Sequence, residues 1–358
     1  MRIGFEVSSA TRTHATGVSR YITALITALA RQCAPHDDLT LFYKLSRWRR
    51  RQSWWRPAEL PVRLYYGRWW PPRPGVAVIH GLDCVVPDWP RALRLVTIHD
   101  LLMLRSDDVQ LASQHFRDKK RQLYQTAVAR ADAIITVSAT TAQDVVSLLG
   151  VPASRVHVTH LGVEPRFGHC PPEAISLVLQ RYGLAPGYLL FTGAISGRKN
   201  TERLVQAYAR SRARHERPLV LAGALSYHGA ATLEALRQCQ VSAHVHLLGY
   251  VPDADMPALY AGAGCFVFPT LYEGFGLPVL EAMASGTPVL TSTTGAAPEI
   301  SAGWAVHVDP YDIEAIAEGI DRALEMPDTT IVQARMHAQR FTWERCAGQT
   351  LALYRQLG

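Results

Sequence analysis

The chain has 358 residues, of which 48% are hydrophobic and 19% charged, and its formal net charge is +7. This composition excludes a disordered protein, and the length exceeds what one ordinary core requires, so we expect two domains. No apolar run approaches the roughly 18 residues of a membrane-spanning helix. The N-terminal sequence has no apolar signal-peptide region. The six cysteines are scattered without a C-x-x-C pair, which is typical of reduced thiols in a cytosolic protein.

The first half of the chain alternates between short apolar strands and helices. The predicted strands are 2–7, 39–44, 76–80, 93–100, 131–138 and 155–163. The predicted helices are 19–32, 113–130 and 139–149, and Ser138 is expected to cap the last of them. This alternation predicts a parallel sheet covered on both faces.

The basic segment, residues 44–74, interrupts this pattern with nine Lys or Arg residues and one Glu, a net charge of +8. The remainder of the chain has a net charge of −1, and five of the eight tryptophans lie in the segment. Such local basicity argues against a nucleic-acid groove, whereas tryptophan with arginine suits the headgroup region of an anionic membrane. The predicted membrane or acceptor strip is Arg47, Trp48, Arg49, Arg50, Arg51, Trp54 and Trp55.

The alternation of strands and helices stops near residue 170 and then resumes. The predicted strands are 188–193, 218–223, 244–250, 264–270 and 288–292, and the predicted helices are 199–215, 229–240, 254–262 and 277–285, with several more towards the C-terminus. The two runs predict two Rossmann-like α/β domains, 1–168 and 169–340. Since ligands of open α/β sheets bind beyond the carboxyl ends of the strands, we expect the active site in the cleft between these domains.

The stretch FPTLYEGFGLPVLEAMASGTPVLTS, residues 268–292, carries the strongest signal. Glu273 lies in a loop after a strand, and Glu281 follows eight residues later in the first turn of a helix. Gly274 and Gly276 allow a ligand to approach the backbone closely. A helix-dipole complement would explain either glutamate alone, but two glutamates that frame G-F-G-L-P favour a binding site. Because carboxylates repel phosphate, their expected partners are hydroxyl groups.

Four further side chains are candidates from their position at or after the carboxyl ends of predicted strands. Arg198 and Lys199 lie at a predicted helix start, where positive charge opposes the helix dipole, so we infer that they bind an anion such as a diphosphate. His99 ends a strand just before Asp100, and the residues alone leave open whether it is a core or an active-site histidine. His80, at the end of the preceding strand, is a weaker candidate.

The motif E-G-F-G-L-P-V-L-E-A-M-A-x-G-x-P-V resembles the E-x7-E signature of the retaining glycosyltransferases of family 4, which have the GT-B fold. Residues 96–101, 188–209, 247–270 and 341–347 are similar to other segments of that family in the same order. The resemblance implies two Rossmann-like domains that face a central cleft. The first, 1–168, would bind the acceptor and the second, 169–340, the nucleotide sugar. A C-terminal helix, about 341–358, would cross back to the first domain.

The resemblance also implies a role for each candidate. Arg198 and Lys199 bind the diphosphate, Glu281 the ribose hydroxyls, and Glu273 the sugar, while His99 lies beside the transferred sugar. The implied donor-binding set is Gly17, Arg198, Lys199, Glu273, Gly274, Phe275, Gly276, Leu277 and Glu281, and the implied catalytic set is His99, Glu273, Arg198 and Lys199. Around Gly17, however, the segment THATGVSRY has one glycine where many relatives have two or more.

We expect neither a metal nor a cofactor. Asp253 and Asp255 form a D-x-D sequence, but its context fits a helix start better than a metal site. The fourteen histidines show no H-E-x-x-H spacing.

The predicted function is a retaining, metal-independent hexosyltransferase of polysaccharide, lipopolysaccharide or glycolipid biosynthesis. The first choice of donor is GDP-mannose, with glucose or another hexose next, and the acceptor is a saccharide, expected to be lipid-linked. We expect a cytoplasmic enzyme held peripherally on the inner face of an anionic membrane, with no nucleic-acid partner. The alternatives are a nucleotide-sugar epimerase of the same architecture and a nucleic-acid-binding module that uses the basic segment.

Overall fold

The computed structural model describes residues 1–10, 16–57, 59–67, 75–105, 113–226 and 228–358. Contacts divide the chain into two units. The first consists of Met1–Asp107, Gln114–Gly162 and Thr342–Gly358, and the second mainly of Val163–Phe341. The division falls earlier than residue 168, because Arg166 pairs with Glu164 at 2.9 Å and with Asp253 at 3.5 Å. These contacts join the short turn Pro165–Phe167 to the second unit.

The first unit is built on a sheet of seven parallel strands. They are β1 (Arg2–Glu6), β2 (Asp38–Lys44), β3 (Val62–Tyr65), β4 (Val78–Gly81), β5 (Leu93–Ile98), β6 (Ala133–Thr136) and β7 (Val156–Val158). Their order across the sheet is β3-β2-β1-β4-β5-β6-β7, so the direction of winding reverses between β1 and β4. Strand β3 lies in the basic segment, where no strand is predicted.

In the described residues of the first unit, four helices lie between these strands in the chain. They are α1 (Gly17–Gln32), α2 (Leu102–Arg105), α3 (Gln114–Arg130) and α4 (Ala139–Leu149). Helix α1 begins with a capping box, in which Thr16 and Ser19 each bond the other's backbone N–H. Ser138 caps α4 as predicted, because its side chain accepts a hydrogen bond from the Thr141 N–H.

The second unit contains a sheet of six parallel strands. They are β8 (Leu189–Thr192), β9 (Leu219–Ala222), β10 (Val245–Gly249), β11 (Cys265–Phe268), β12 (Val289–Ser292) and β13 (Val306–Val308). Their order is β10-β9-β8-β11-β12-β13, with the reversal between β8 and β11. Counted from its own first strand, each sheet therefore begins with the Rossmann order 3-2-1-4-5-6.

The helices of the second unit cover this sheet. They are α5 (Pro172–Tyr182), α6 (Thr201–Arg210), α7 (Gly229–Gln238), α8 (Met256–Gly262), α9 (Leu277–Ala284), α10 (Ala297–Ser301), α11 (Ile313–Leu324) and α12 (Asp328–Ala338). Strands β8, β9, β11 and β12 are buried at every position, which explains their continuous apolar sequences.

The last helix, α13 (Trp343–Leu357), belongs to the first unit, as the predicted return of the chain requires. It packs on α1, and the Gln32 amide donates to the Glu344 carbonyl at 2.7 Å. Its Tyr354 hydroxyl lies 2.6 Å from His80 Nδ1, and His80 Nε2 lies 2.8 Å from the Thr97 hydroxyl. His80 is fully buried and joins α13 to β4 and β5, so this weaker candidate is a core residue in the structure.

This burial makes the first unit sensitive to acid. Burial, together with the nearby His99, lowers the pKa of His80 to about 3. The unfolded chain takes up a proton at this ring below about pH 6.5, whereas the folded chain does not. Stability present at neutral pH is therefore lost as the pH falls, by about 2 kcal/mol at about pH 5 from this one group.

We predict that His80→Gln lowers stability at neutral pH but flattens its dependence on pH between about 7.5 and 5. Urea unfolding of both proteins across this range measures the effect. The exposed His36→Gln serves as the control and should keep the wild-type slope. An unchanged slope in His80→Gln would contradict the assignment.

Candidate functional site

The turn after β8 presents two cations. Arg198 and Lys199 lie in a single 3-10 turn, Gly197–Lys199, and helix α6 begins only at Thr201. The helix therefore starts two residues later than the predicted start at 199. Asn200 makes the junction with a left-handed φ of 60°. Its side-chain amide donates to the carbonyls of Pro269, at 2.9 Å, and Pro310, at 2.6 Å, which holds the turn against the loop after β11.

Both cations contact one carboxylate oxygen. Glu273 Oε1 accepts hydrogen bonds from Lys199 Nζ at 2.7 Å and from Arg198 Nη1 at 3.1 Å. The Lys199 side chain is 10% exposed and that of Glu273 is 13% exposed, so water screens this pair weakly. Burial alone would raise the pKa of Glu273, but the charges of Lys199 and Arg198 outweigh it and hold that pKa below its usual value.

A glycine that the sequence reasoning missed shapes the backbone of Glu273. Gly295 follows β12 with a φ of +64°, and a Cβ there would lie 2.7 Å from the Glu273 carbonyl oxygen. The next residue, Ala296, donates its N–H to the same carbonyl at 3.0 Å. Only the glycine in the segment TTGAAPE pointed to such a close approach.

The loop 274–277 leads into α9 largely as predicted. Gly276 has a φ of 102°, which permits the sharp entry into the helix, and Pro278 occupies its first turn. Gly274 and Phe275 are buried, and the Phe275 ring packs edge-on against Phe341 at 6.2 Å. Leu277, the first residue of α9, is half-buried.

Glu281 has surroundings quite different from those of Glu273. It is 4% exposed and accepts a hydrogen bond from the Tyr260 hydroxyl at 3.0 Å. That hydroxyl lies 2.8 Å from the Thr192 hydroxyl at the end of β8. Tyr260 and Thr192 are polar members of the site that the sequence reasoning did not single out.

In the first unit, His99 follows β5 and is half-buried. Its Nε2 lies 2.9 Å from the Leu82 carbonyl, and its ring meets the Tyr21 ring edge-on at 4.8 Å. The carbonyl fixes Nε2 as the N–H donor, so Nδ1 is the ring atom able to accept a hydrogen bond. Gly17 is the exposed first residue of α1, and a Cβ there would meet no described atom within 4 Å. Its implied role therefore stays a prediction.

The strip in the basic segment is only partly exposed. Its arginines 47, 49, 50 and 51 and Trp48 lie exposed on the 3-10 segment Leu45–Ser53, which is kinked at Arg50. The Arg51 guanidinium lies 4.8 Å from the centre of the Trp48 ring.

Trp54 does not belong to this surface. It is 3% exposed and stacks on Tyr43, with ring centres 4.3 Å apart. Composition suggested an exposed indole, but the neighbouring Tyr43 ring provides a flat apolar partner. Trp55 is half-buried, and its carbonyl accepts a hydrogen bond from the Tyr43 hydroxyl at 2.7 Å. Trp69 and Trp70 lie outside the described residues.

The D-x-D sequence has structural partners. The Asp255 carboxylate accepts hydrogen bonds from Arg181 at 2.7 Å and from the Tyr182 hydroxyl at 2.8 Å, which joins α5 to the start of α8. It precedes α8 as predicted but makes no side-chain cap. Across the described parts of the chain, we find no group of three or more His, Cys, Asp or Glu side chains arranged to hold a metal ion.

Comparison with known families matches both units. The family described as glycosyl transferases group 1 matches residues 183–340, and the family described as glycosyltransferase family 4 matches residues 15–167. The chain is 32% identical over 292 residues to O-antigen chain mannosyltransferase B of Escherichia coli, and the match covers 78% of this chain and 74% of that protein.

Solved structures agree with the fold. The chain superimposes on sucrose-phosphate synthase from Thermosynechococcus elongatus with a TM-score of 0.76 at 21% identity, over 99% of this chain and 98% of that one. It superimposes equally well, at 0.76 and 18% identity, on the Anabaena protein HepE in complex with UDP-glucose, over 99% and 100% of the two chains. The fold is therefore GT-B.

The Gly295 contact yields a stability prediction. Gly295→Ala should destabilise the second unit by about 1–2 kcal/mol for the left-handed backbone, with a further loss because the new Cβ meets the Glu273 backbone. Gly183 has the same φ of +64° with no neighbour within 4 Å, so Gly183→Ala is a matched control. Urea unfolding of the two variants compares them. Equal losses would show that the Glu273 backbone simply moves away.

Proposed function

Because the chain belongs to the glycosyltransferases of group 1 and family 4, we propose that it transfers a hexose, with retention, from a nucleoside diphosphate sugar to a saccharide acceptor. The similarity to an O-antigen chain mannosyltransferase supports mannose as the hexose and a role in polysaccharide or lipopolysaccharide synthesis. We propose GDP-mannose as the donor and a lipid-linked saccharide as the acceptor. Other hexoses rank next.

The observation that carries the proposal is the pair of cations at the switch point of the second sheet. When the sugar leaves, negative charge grows on the diphosphate, and preorganised cations stabilise it best in a site that water reaches poorly. Lys199 and Arg198 both lie within 3.1 Å of Glu273 Oε1, which fixes their positions. We propose that the diphosphate takes these cations over, and that Glu273 then turns to the sugar hydroxyls.

The second glutamate suits the ribose. Glu281 accepts a hydrogen bond from Tyr260, and a carboxylate has about four acceptor positions, so we propose that it accepts hydrogen bonds from the two ribose hydroxyls. Their contact with Glu281 is remote from the reacting carbon, so it should strengthen donor binding more than the chemical step.

For the chemical step we propose front-face attack. A phosphate oxygen of the departing diphosphate accepts the acceptor's proton, and no protein nucleophile takes part. His99 would orient the transferred sugar through Nδ1, and Gly17 and the backbone of Gly274 to Leu277 would lie near the phosphates and sugar. Charge stabilisation is assigned to Arg198 and Lys199 without a metal or cofactor.

We further propose that the chain acts in the cytoplasm on the inner face of a membrane. In the described residues, none of the helices is both long and apolar enough to cross a bilayer. Four neighbouring exposed arginines with Trp48, 46% exposed, and Leu45, 42% exposed, support binding to an anionic surface.

The function is tested first at the cations. We predict that Lys199→Ala and Arg198→Ala each lower turnover by roughly 10²–10³ while the fold survives. Arg210→Ala, which removes a half-exposed cation at the end of α6 that pairs with Glu314 on α11, is the control and should retain activity. Assays with GDP-, UDP- and ADP-sugars should score glycosylated acceptor, since a free epimer as product would favour the epimerase alternative. Near-normal turnover in both variants, or strict dependence on added metal, would contradict the mechanism.

Removing the negative charge of Glu273 complements the removal of the two positive charges. Glu273→Gln should reduce turnover but bind the nucleoside diphosphate at least as tightly as the wild type, because the cations lose their competing partner. Isothermal titration measures that affinity. Much weaker binding would mean that Glu273 chiefly keeps the cations in position.

The membrane proposal yields its own prediction. Replacing Arg47, Arg49, Arg50 and Arg51 with Gln should weaken binding to anionic vesicles by up to roughly 4 kcal/mol, at about 1 kcal/mol for each charge. Sedimentation with vesicles at low and high salt measures it, and donor affinity should not change. Trp48→Ala should also reduce vesicle binding, whereas Trp54→Ala should mainly reduce stability. A wild type that ignores such vesicles at low salt would refute the proposal.

A further inference from the structure

A pocket lies in the first unit, at the ends of its outer strands β2 and β3. It has a volume of about 320 Å³, and Lys44 and Tyr65, the last residues of β2 and β3, form one wall. Val86 and Arg130 contribute another part of the lining. This volume is at the lower end of small-molecule sites, which span about 300–1,000 Å³, so the pocket suits a phosphate with one sugar ring.

The charges of this pocket are not balanced. Lys44 and Arg130 both line it, and within the described ranges neither forms an ion pair with a carboxylate. The acidic residue of the lining, Asp88, lies 3.7 Å from Arg94. The pocket therefore presents two cations whose charges are available to a ligand.

The charge of Lys44 also acts on the carboxyl group of Glu6, which is 2% exposed. It already accepts hydrogen bonds from the hydroxyls of Ser8 and Tyr65. Burial raises the pKa of Glu6, although the charge of Lys44 acts to lower it.

The rim of the pocket adds apolar and aromatic surface. Tyr66 is 66% exposed and Leu45 is 42% exposed. An exposed tyrosine ring offers a flat face to the C–H side of a sugar, while the cations hold an anionic group. Leu45 is also the first residue of the 3-10 segment that carries the exposed arginines, so the pocket is continuous with the proposed membrane surface.

We propose that this pocket, the Lys44 pocket, binds the phosphate ester of the acceptor. The inference rests on the proposed function and deepens it by naming the chemistry that the acceptor must carry. Lys44 and Arg130 contact the phosphate oxygens, and Tyr66 packs on the adjoining sugar. A lipid-linked saccharide and a soluble sugar phosphate carry the same ester, and they are distinguished by experiment.

The test compares Lys44→Gln and Arg130→Gln with Arg121→Gln, which removes an exposed arginine on the same helix α3 outside the pocket. Mannose 1-phosphate is titrated into each full-length protein in the presence of the nucleoside diphosphate that binds best, so that Arg198 and Lys199 are already occupied. Each pocket variant should bind the ester about tenfold more weakly, because it loses one charge-assisted hydrogen bond. Arg130 is exposed, so its variant should fold normally.

A second arm uses phosphatidylcholine vesicles with and without phosphatidic acid. Loss of mannose 1-phosphate binding in the pocket variants supports the proposal with a soluble ester as sufficient ligand. If the wild type binds only the vesicles, a loss in the pocket variants beyond that of Arg121→Gln supports a lipid-borne ester. Unchanged affinity in both arms overturns the proposal. A wild type that binds no nucleoside diphosphate would instead refute the proposed function, and the titrations without nucleotide would still test the pocket.

Discussion

One carboxylate oxygen, Glu273 Oε1, shared by Lys199 and Arg198, is the interaction on which the candidate site depends. A lysine that is nearly buried requires a partner, since an unpaired charge in such a place is strongly destabilising. Its partner comes from a different strand of the sheet: Lys199 follows β8, whereas Glu273 follows β11. The backbone conformation near both residues allows this contact between Lys199 and Glu273. Asn200 adopts a left-handed conformation and bonds Pro269, and Gly295 leaves room for the Glu273 backbone.

The order of the strands brings these residues together. Strands β8 and β11 are neighbours at the point where winding reverses, so the loops at their carboxyl ends diverge and leave space for a ligand. The same reversal occurs between β1 and β4 in the first unit. There, however, the buried polar side chains stabilise the fold. His80 bridges Thr97 and Tyr354 and fastens the C-terminal helix to the sheet. Similar topology thus supports a charged site in one unit and a neutral, buried network in the other.

Much of this architecture could be predicted because central parallel strands are continuous apolar runs, as in YLLFTG and GCFVFPT. The two strands that escaped prediction, β3 and β13, lie at sheet edges, where solvent contact permits Arg63 and His307 within the strand. Trp54 shows the opposite failure. Arg51 and Arg56 lie close to it in sequence and suggest an exposed ring, but Trp54 is buried against the ring of Tyr43, with the Arg56 guanidinium 5.0 Å from its ring centre.

The sequence by itself determined the two α/β units, the glutamates and cations of the candidate site, and the family to which the chain belongs. Periodicity and a long motif suffice for these, since both are local along the chain. Only the tertiary structure decided that Glu273 holds both cations, that Glu281 instead bonds Tyr260, and that His80 is buried. Each of these depends on side chains at least 17 residues apart in the chain, from His80 and Thr97 to Lys199 and Glu273. Such contacts arise from the packing of strands and helices, whose spatial order a one-dimensional pattern does not specify.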